Sequence, residues 1–235
     1  MLSTTVKVEY PLCELFTSFQ GEGLQIGTPS NFIRLYGCNL KCFWCDTKYS
    51  WINQSNAVEG VDYKTVSLEY ILDALDDSKS TVTITGGEPL LHDLAPLCQE
   101  LKNNGYEIIV ESNGLVTPTE PLQSIVNYWA ISPKLTSSGN KVWPLYLAND
   151  FSWAKQKDCY FKFVLVDFEK DLHEIEVFLR RHSIPPSIVV LQPNGLRKDY
   201  IEALRELLAY AEDHKLPYRV LPQLHRIVWG VKRGI

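Results

Sequence analysis

Three cysteines, Cys38, Cys42 and Cys45, fall within the run GCNLKCFWCDT, and any fold of the chain has to be built around them. Their C-x3-C-x2-C spacing brings three sulfurs to one point on a short loop. Three thiolates suit three of the four irons of a [4Fe–4S] cube, whose full protein ligation takes four cysteines. The missing ligand leaves one iron open, much as a catalytic zinc keeps a position for substrate. Two other uses compete. A disulfide framework is disfavoured in a chain of 235 residues with a single tight cysteine cluster. A structural zinc site needs a fourth ligand, and no C-x2-C or H-x3–5-H pair follows downstream. A non-enzymatic zinc-binding module that borrows one nearby ligand stays open at this point.

Composition narrows the class. With 45% hydrophobic residues the chain supports a sizeable core, and its length fits a single domain, expected to span residues 1–235. No stretch approaches the ~20 apolar residues of a membrane span. The start, MLSTTVKVEYPLCELF, lacks the charged-then-apolar pattern of a secretory leader. A net charge of −5 argues against a general nucleic-acid binder. Arg226, Lys232 and Arg233 are expected to solvate a surface. These features imply a cytoplasmic protein with no membrane and no nucleic-acid partner. Cys98, among Leu94, Leu97 and Leu101 at helical spacing, and Cys159, alternating with Phe161 and Phe163, are expected in the core, as is Cys13 in a strand-like run.

Strand and helix patterns alternate after residue 60. Ser67 caps a predicted helix carrying Leu68, Ile71, Leu72 and Leu75. Strands are predicted over 81–85, 106–112, 128–132, 159–166 and 187–191. The helices between and after them cover 93–104, 117–127, 169–182 and 198–214, the last presenting Ile201, Leu204, Leu208 and Ala211 on one face. Repeated βα units argue for an α/β fold, a parallel sheet that curls into a whole or partial barrel. TGGEP (85–89), ESNG (111–114), SPK (132–134) and QPNG (192–195) each follow a predicted strand, so they converge on the carboxyl-end mouth where barrels build ligand sites. Residues 48–64 are polar and interrupted, and read as an insertion after the cysteine loop.

C-x3-C-x2-C together with TGGEP resembles the radical S-adenosylmethionine (SAM) enzymes, in which SAM chelates the open iron. In that resemblance the segment containing Gly87 and Glu88 holds the methionine amino group, and Trp44 packs on adenine. Further motifs narrow the match. FQGEG (19–23), FIRLYGCNLKCFWCDT (32–47), SPK, QP and QLHRIVWG (223–230) together are similar to the 7-carboxy-7-deazaguanine synthase family. Its members are homodimers with a modified, incomplete (βα) radical SAM barrel. They convert 6-carboxy-5,6,7,8-tetrahydropterin into 7-carboxy-7-deazaguanine and ammonia, on the route to queuosine and other 7-deazapurines.

The resemblance implies the following roles. A [4Fe–4S] cluster sits on Cys38, Cys42 and Cys45. SAM meets Trp44, Gly87, Glu88, Ser112, Ser132, Pro133, Lys134, Gln192, Pro193, Asn194 and Gly195. The pterin meets Phe19, Gln20, Gly21, Glu22, Thr85 and His225, with its carboxylate on Arg34, a task suited to a planar, permanently charged fork. Thr47 offers Mg2+ a hard oxygen. An electron donor such as flavodoxin is implied as a partner. Of the five histidines only His225 is expected in the site; His92, His173, His182 and His214 are expected at the surface. A different radical SAM enzyme, such as a glycyl-radical activase, would share the cysteines and GGEP but has no use for FQGEG, Arg34 or QLH.

Overall fold

The computed structural model describes residues 7–52, 56–230 and 232–235. Nine strands form one sheet in the order β3-β1-β2-β4-β5-β6-β7-β8-β9. Two of them make an antiparallel edge with β2 (Pro29–Leu35): β1 (Glu9–Phe19) pairs antiparallel with both β2 and β3 (Lys64–Ser67). From β2 onward every pairing is parallel, through β4 (Thr81–Gly86), β5 (Glu107–Ser112), β6 (Tyr128–Ile131), β7 (Asp158–Leu165), β8 (Val189–Pro193) and β9 (Arg219–Val220). Among the described residues β3 and β9 do not pair, so the sheet is a curled, open barrel.

Continuous apolar and β-branched runs explain the parallel strands. Thr81 to Thr85, Ile108 to Val110 and Val189 to Pro193 are buried throughout, as expected of strands covered on both faces. The helices pack outside: α1 (Leu68–Asp73), α2 (Ala95–Asn103), α3 (Glu120–Ile125), α4 (Trp143–Ala148), α5 (Phe168–His182), α6 (Tyr200–Asp213) and α7 (Leu224–Trp229). Ser67 accepts the Tyr70 N–H and caps α1, and Asp167 does the same for α5 through Lys170 N–H. Phe178 of α5 gathers Phe151, Phe161 and Phe163 in edge-to-face contacts. Cys98 and Cys159 are buried, and Cys13 is half-buried.

Several expectations change. His182 is not at the surface: it is buried beside Phe151 and Phe178, its Nε2 2.9 Å from the Tyr146 carbonyl. His92 is half-buried against the Tyr36 carbonyl. In α6 the buried residues are Tyr200, Ala203 and Leu207, while Ile201 and Leu208 are exposed. The helix is apolar on more than one face, and the Tyr200 hydroxyl, which accepts the Gln223 N–H, settles which one turns inward. Arg233 does more than solvate a surface, since it bonds Glu14 and lies 3.5 Å over the Tyr49 ring. Residues 53–55 of the 48–64 insertion lie outside the described residues; Trp51 on its near side turns into the site.

Candidate active site

β2 delivers the chain directly into the cysteine loop. Gly37 pins the entry, donating to the Ser50 carbonyl and accepting from Glu88 N–H, both at 2.8 Å. The far side docks on residues 138–140 through Phe43 N–H to Ser138 O (3.1 Å) and Lys41 N–H to Asn140 Oδ1 (3.0 Å). Each sulfur has a donor. Leu40 N–H points to Cys38 Sγ (3.4 Å), Asn140 Nδ2 to Cys42 Sγ (3.1 Å) and Trp51 Nε1 to Cys45 Sγ (3.3 Å). Burial pushes the Cys38 thiol up to about 11 and the Cys42 thiol upward as well, partly offset for Cys42 by the nearby Lys134 ammonium. Bare thiols therefore keep their protons here. A metal that deprotonates its ligands, with N–H groups to share the sulfur charge, matches this environment.

The loop forms one wall of a cavity of about 220 Å³. Its other walls come from the carboxyl ends of β4 (Thr85, Gly86), β5 (Glu111, Ser112) and β6 (Ala130), followed by Ser132 and Lys134, and from Lys162 and Val164 of β7. Phe16 and Phe32, stacked with centroids 4.9 Å apart, line an aromatic side. Arg34 lies 5.7 Å over the Phe16 ring and gives its Nε to Glu14 Oε2 at 2.9 Å, which leaves the two terminal nitrogens of the fork for a ligand. Tyr49 also donates to Glu14 Oε2.

The FQGEG segment crosses to the far strands. Gln20 Nε2 donates to Glu111 Oε1 (3.0 Å), whose other oxygen takes the Thr85 hydroxyl (2.8 Å). Glu22 pairs with Lys162 and accepts Gln223 Nε2 at 2.5 Å. Gly21 accepts Leu224 N–H and packs so tightly on His225 that a Cβ would overlap the imidazole. Burial lowers His225, against the pull of Asp46, so the imidazole is neutral at pH 7.

Of the residues expected in the site, the three cysteines, Trp44, Thr47, Phe19 to Glu22, Arg34, Thr85, Gly87, Ser112, Ser132, Lys134, Gly195 and His225 line this cavity. Glu88, Pro133, Gln192, Pro193 and Asn194 lie behind the lining. Glu88 is fully buried and its carboxylate takes Leu90 N–H, Ser112 O–H and Asn113 N–H, so it ties the ends of β4 and β5 together. Trp44 Nε1, at the lining, is buried with no protein partner, as a group awaiting a polar ligand would be; the amide atoms of Gln192, behind it, also have none. Lys134 bonds Ser132 Oγ at 2.7 Å and sits 5.6 Å over the Trp44 ring. Sequence reading missed Trp51, Asp46, Lys162 and Gln223 as lining residues. Asp46 and Gln223 stood inside the quoted motifs without a role, and Lys162 carried the signal of a lone cation on the strand CYFKFVLV. Glu22, Asp46 and His225 bring one ligand atom each within 4.8 Å of one another. Both Glu22 oxygens are already engaged, which makes this a hydrogen-bonding cluster.

Residues 32–141 match the Radical SAM superfamily. The chain is 35% identical to the 7-carboxy-7-deazaguanine synthase of Pyrobaculum aerophilum over 240 aligned positions, covering 99% of this chain and 100% of that one. It is 34% identical to the enzyme of the same name from Halobacterium salinarum, over 94% and 90% of the two chains. The crystal structure of QueE from Escherichia coli superposes with a TM-score of 0.67 at 28% identity, covering 92% of this chain and 95% of that one.

Proposed function

From the premise that this chain belongs to the 7-carboxy-7-deazaguanine synthase family of radical SAM enzymes, we propose that the cavity converts 6-carboxy-5,6,7,8-tetrahydropterin to 7-carboxy-7-deazaguanine and ammonia. The chain is thus a ring-contracting carbon–nitrogen lyase of queuosine and 7-deazapurine biosynthesis. The observation that carries this reading is the meeting of the three cysteine sulfurs, Arg34 and the FQGEG segment in one cavity. A partner-dependent activase has no need of Arg34 and the FQGEG segment in the pocket beside its cysteines, and a zinc module has no need of a pocket there.

Cys38, Cys42 and Cys45 are the residues that hold the [4Fe–4S] cluster. Trp44, Gly87, Ser112, Ser132, Lys134 and Gly195 would hold SAM, which with the cluster would supply the radical chemistry for hydrogen removal at C6 of the pterin. The chain supplies orientation and charge. Arg34, fixed by Glu14, receives the substrate carboxylate in a bidentate grip. Glu111, held by Gln20 and Thr85, offers a carboxylate to the amino-pyrimidinone edge. Phe16 and Phe32, stacked on each other, give the pterin one apolar wall and keep water from that side.

Thr47 is the proposed magnesium ligand. Its hydroxyl lies 3.6 Å from Cys45 Sγ, and toward a thiolate it must donate, which leaves its lone pairs for a cation. Residues 1–235 acting as one domain, a homodimeric state, a flavodoxin-type electron donor and a cytoplasmic site of action complete the proposal on family grounds. Among the described residues no helix is long and apolar enough to cross a membrane.

The test is an anaerobic assay of cluster-loaded protein with SAM, reductant, Mg2+ and the carboxytetrahydropterin, read by mass spectrometry. Product at the mass of 7-carboxy-7-deazaguanine is expected. Release of 5′-deoxyadenosine without that product would overturn the substrate assignment.

A further inference from the structure

Lys162 is not needed for holding a cluster, SAM or the substrate carboxylate, yet it faces the cavity from the middle of β7. Its side chain is mostly buried and pairs with Glu22. Gln223 braces the other Glu22 oxygen, and Gln20 Oε1 accepts Glu22 N–H, so three side chains from two segments hold one ammonium in place. The charged and titratable groups around it are Glu22 from the loop after β1, His225 at the start of α7 and Asp46 beyond His225, with Arg34 and Glu111 across the cavity.

The reaction proposed above needs a proton carrier. Comparison of substrate and product shows that C7 of the pterin loses one of its two hydrogens and that N5 leaves as ammonia. The product joins the carboxylate-bearing carbon to the pyrimidine carbon that held N5, so a contraction that breaks that N5 bond would leave the amino nitrogen on the carboxylate-bearing carbon. We propose, resting on that reaction, that Lys162 carries the protons of this closing elimination, with Glu22 and Gln223 as positioning residues. The Lys162 ammonium gives a proton to the departing nitrogen, and the C–N bond breaks with its electron pair going to nitrogen. The Lys162 amine then takes the C7 proton, and the C–H pair becomes the ring double bond. Carbon loses one proton, nitrogen gains one, lysine ends as it began, and no oxidant or reductant is consumed.

The neighbours leave few alternatives. Arg34 does not release a proton at working pH. Lys134 is committed to Ser132 and the Trp44 face. Burial disfavours the charged form of His225, so little imidazolium is present to give up a proton. Burial pulls Lys162 down to about 8 while the Glu22 carboxylate beside it favours the ammonium, so the group is closer to giving and taking a proton near neutrality than an exposed lysine is.

Lys162→Arg and Lys162→Met, assayed with substrate deuterated at C6, test the assignment. Arginine keeps the ion pair with Glu22 but does not titrate. Both variants are expected to transfer deuterium from substrate to SAM at near wild-type rate while ammonia release falls at least about 100-fold. A ring-contracted amine with the mass of the substrate should accumulate and separate from it by chromatography. An added alkylamine should restore ammonia release in Lys162→Met, with a pH profile that follows the amine used. Normal product from Lys162→Arg would reduce Lys162 to a structural ion pair and overturn the proposal. Deuterium transfer falling in step with product would do the same. Absence of deuterium transfer in the wild type would instead remove the family reaction itself.

Discussion

Each sulfur of the 38–45 loop accepts a hydrogen bond, and two of the donors, Trp51 and Asn140, come from outside the motif. Donors to cluster sulfurs stabilise the more negative, reduced state and so raise the potential. Trp51→Phe keeps the ring and removes the N–H. The cluster midpoint in that variant is expected to move to more negative potential in an EPR-monitored titration; an unmoved midpoint would show that the bond plays no part in the loaded site. Thr47→Ala should retain cluster loading, by iron and sulfide analysis, and lose most of its response to added Mg2+. An unchanged magnesium titration would count against the Thr47 role. Local spacing spelled out the sulfurs but not their donors, because Asn140 lies 98 positions from Cys42 and no short-range pattern links them. The same holds for Gln223, whose partner Glu22 is 201 positions away.

At the scale of elements, the parallel strands were legible because their apolar runs are continuous and their helices carry caps. The antiparallel β1–β3 edge was not, since half-buried Cys13 to Phe16 give no clean alternation. The phase of α6 was misread for a related reason: Ile201, Leu204 and Leu208 make as good an apolar stripe as the buried set. GGEP was legible as a motif, yet its glutamate also clasps two strands. Glu88→Gln replaces one acceptor oxygen by a donor facing N–H or O–H groups. It should cost about 1–3 kcal/mol, read as a lower denaturant midpoint with an unchanged slope. Retained stability would mean that the β4–β5 junction does not depend on this carboxylate.

For the whole molecule, acidity is the relevant stress. Burial is the leading cause that lowers both His182 and His225, so the unfolded chain binds their protons more readily than the folded one. Their neutral forms contribute fully above the ordinary histidine value of about 6.5 and the contribution is lost as pH falls below it. Each can steepen the decline by at most about 1.4 kcal/mol per pH unit. Thermal melts between pH 7.5 and 5.5 should show this fall, and His182→Gln, which can still donate to the Tyr146 carbonyl, should flatten it. Equal slopes for variant and wild type would assign the acid sensitivity elsewhere.

The contacts of Gly21 with Leu224 and of Glu22 with Gln223 join segments made at very different times during synthesis. The cysteine loop leaves the ribosome long before residues 223–225 exist, so for most of translation three thiols stand beside an unfinished wall. Iron delivery and closure of the pocket thus become separate events in the life of the chain.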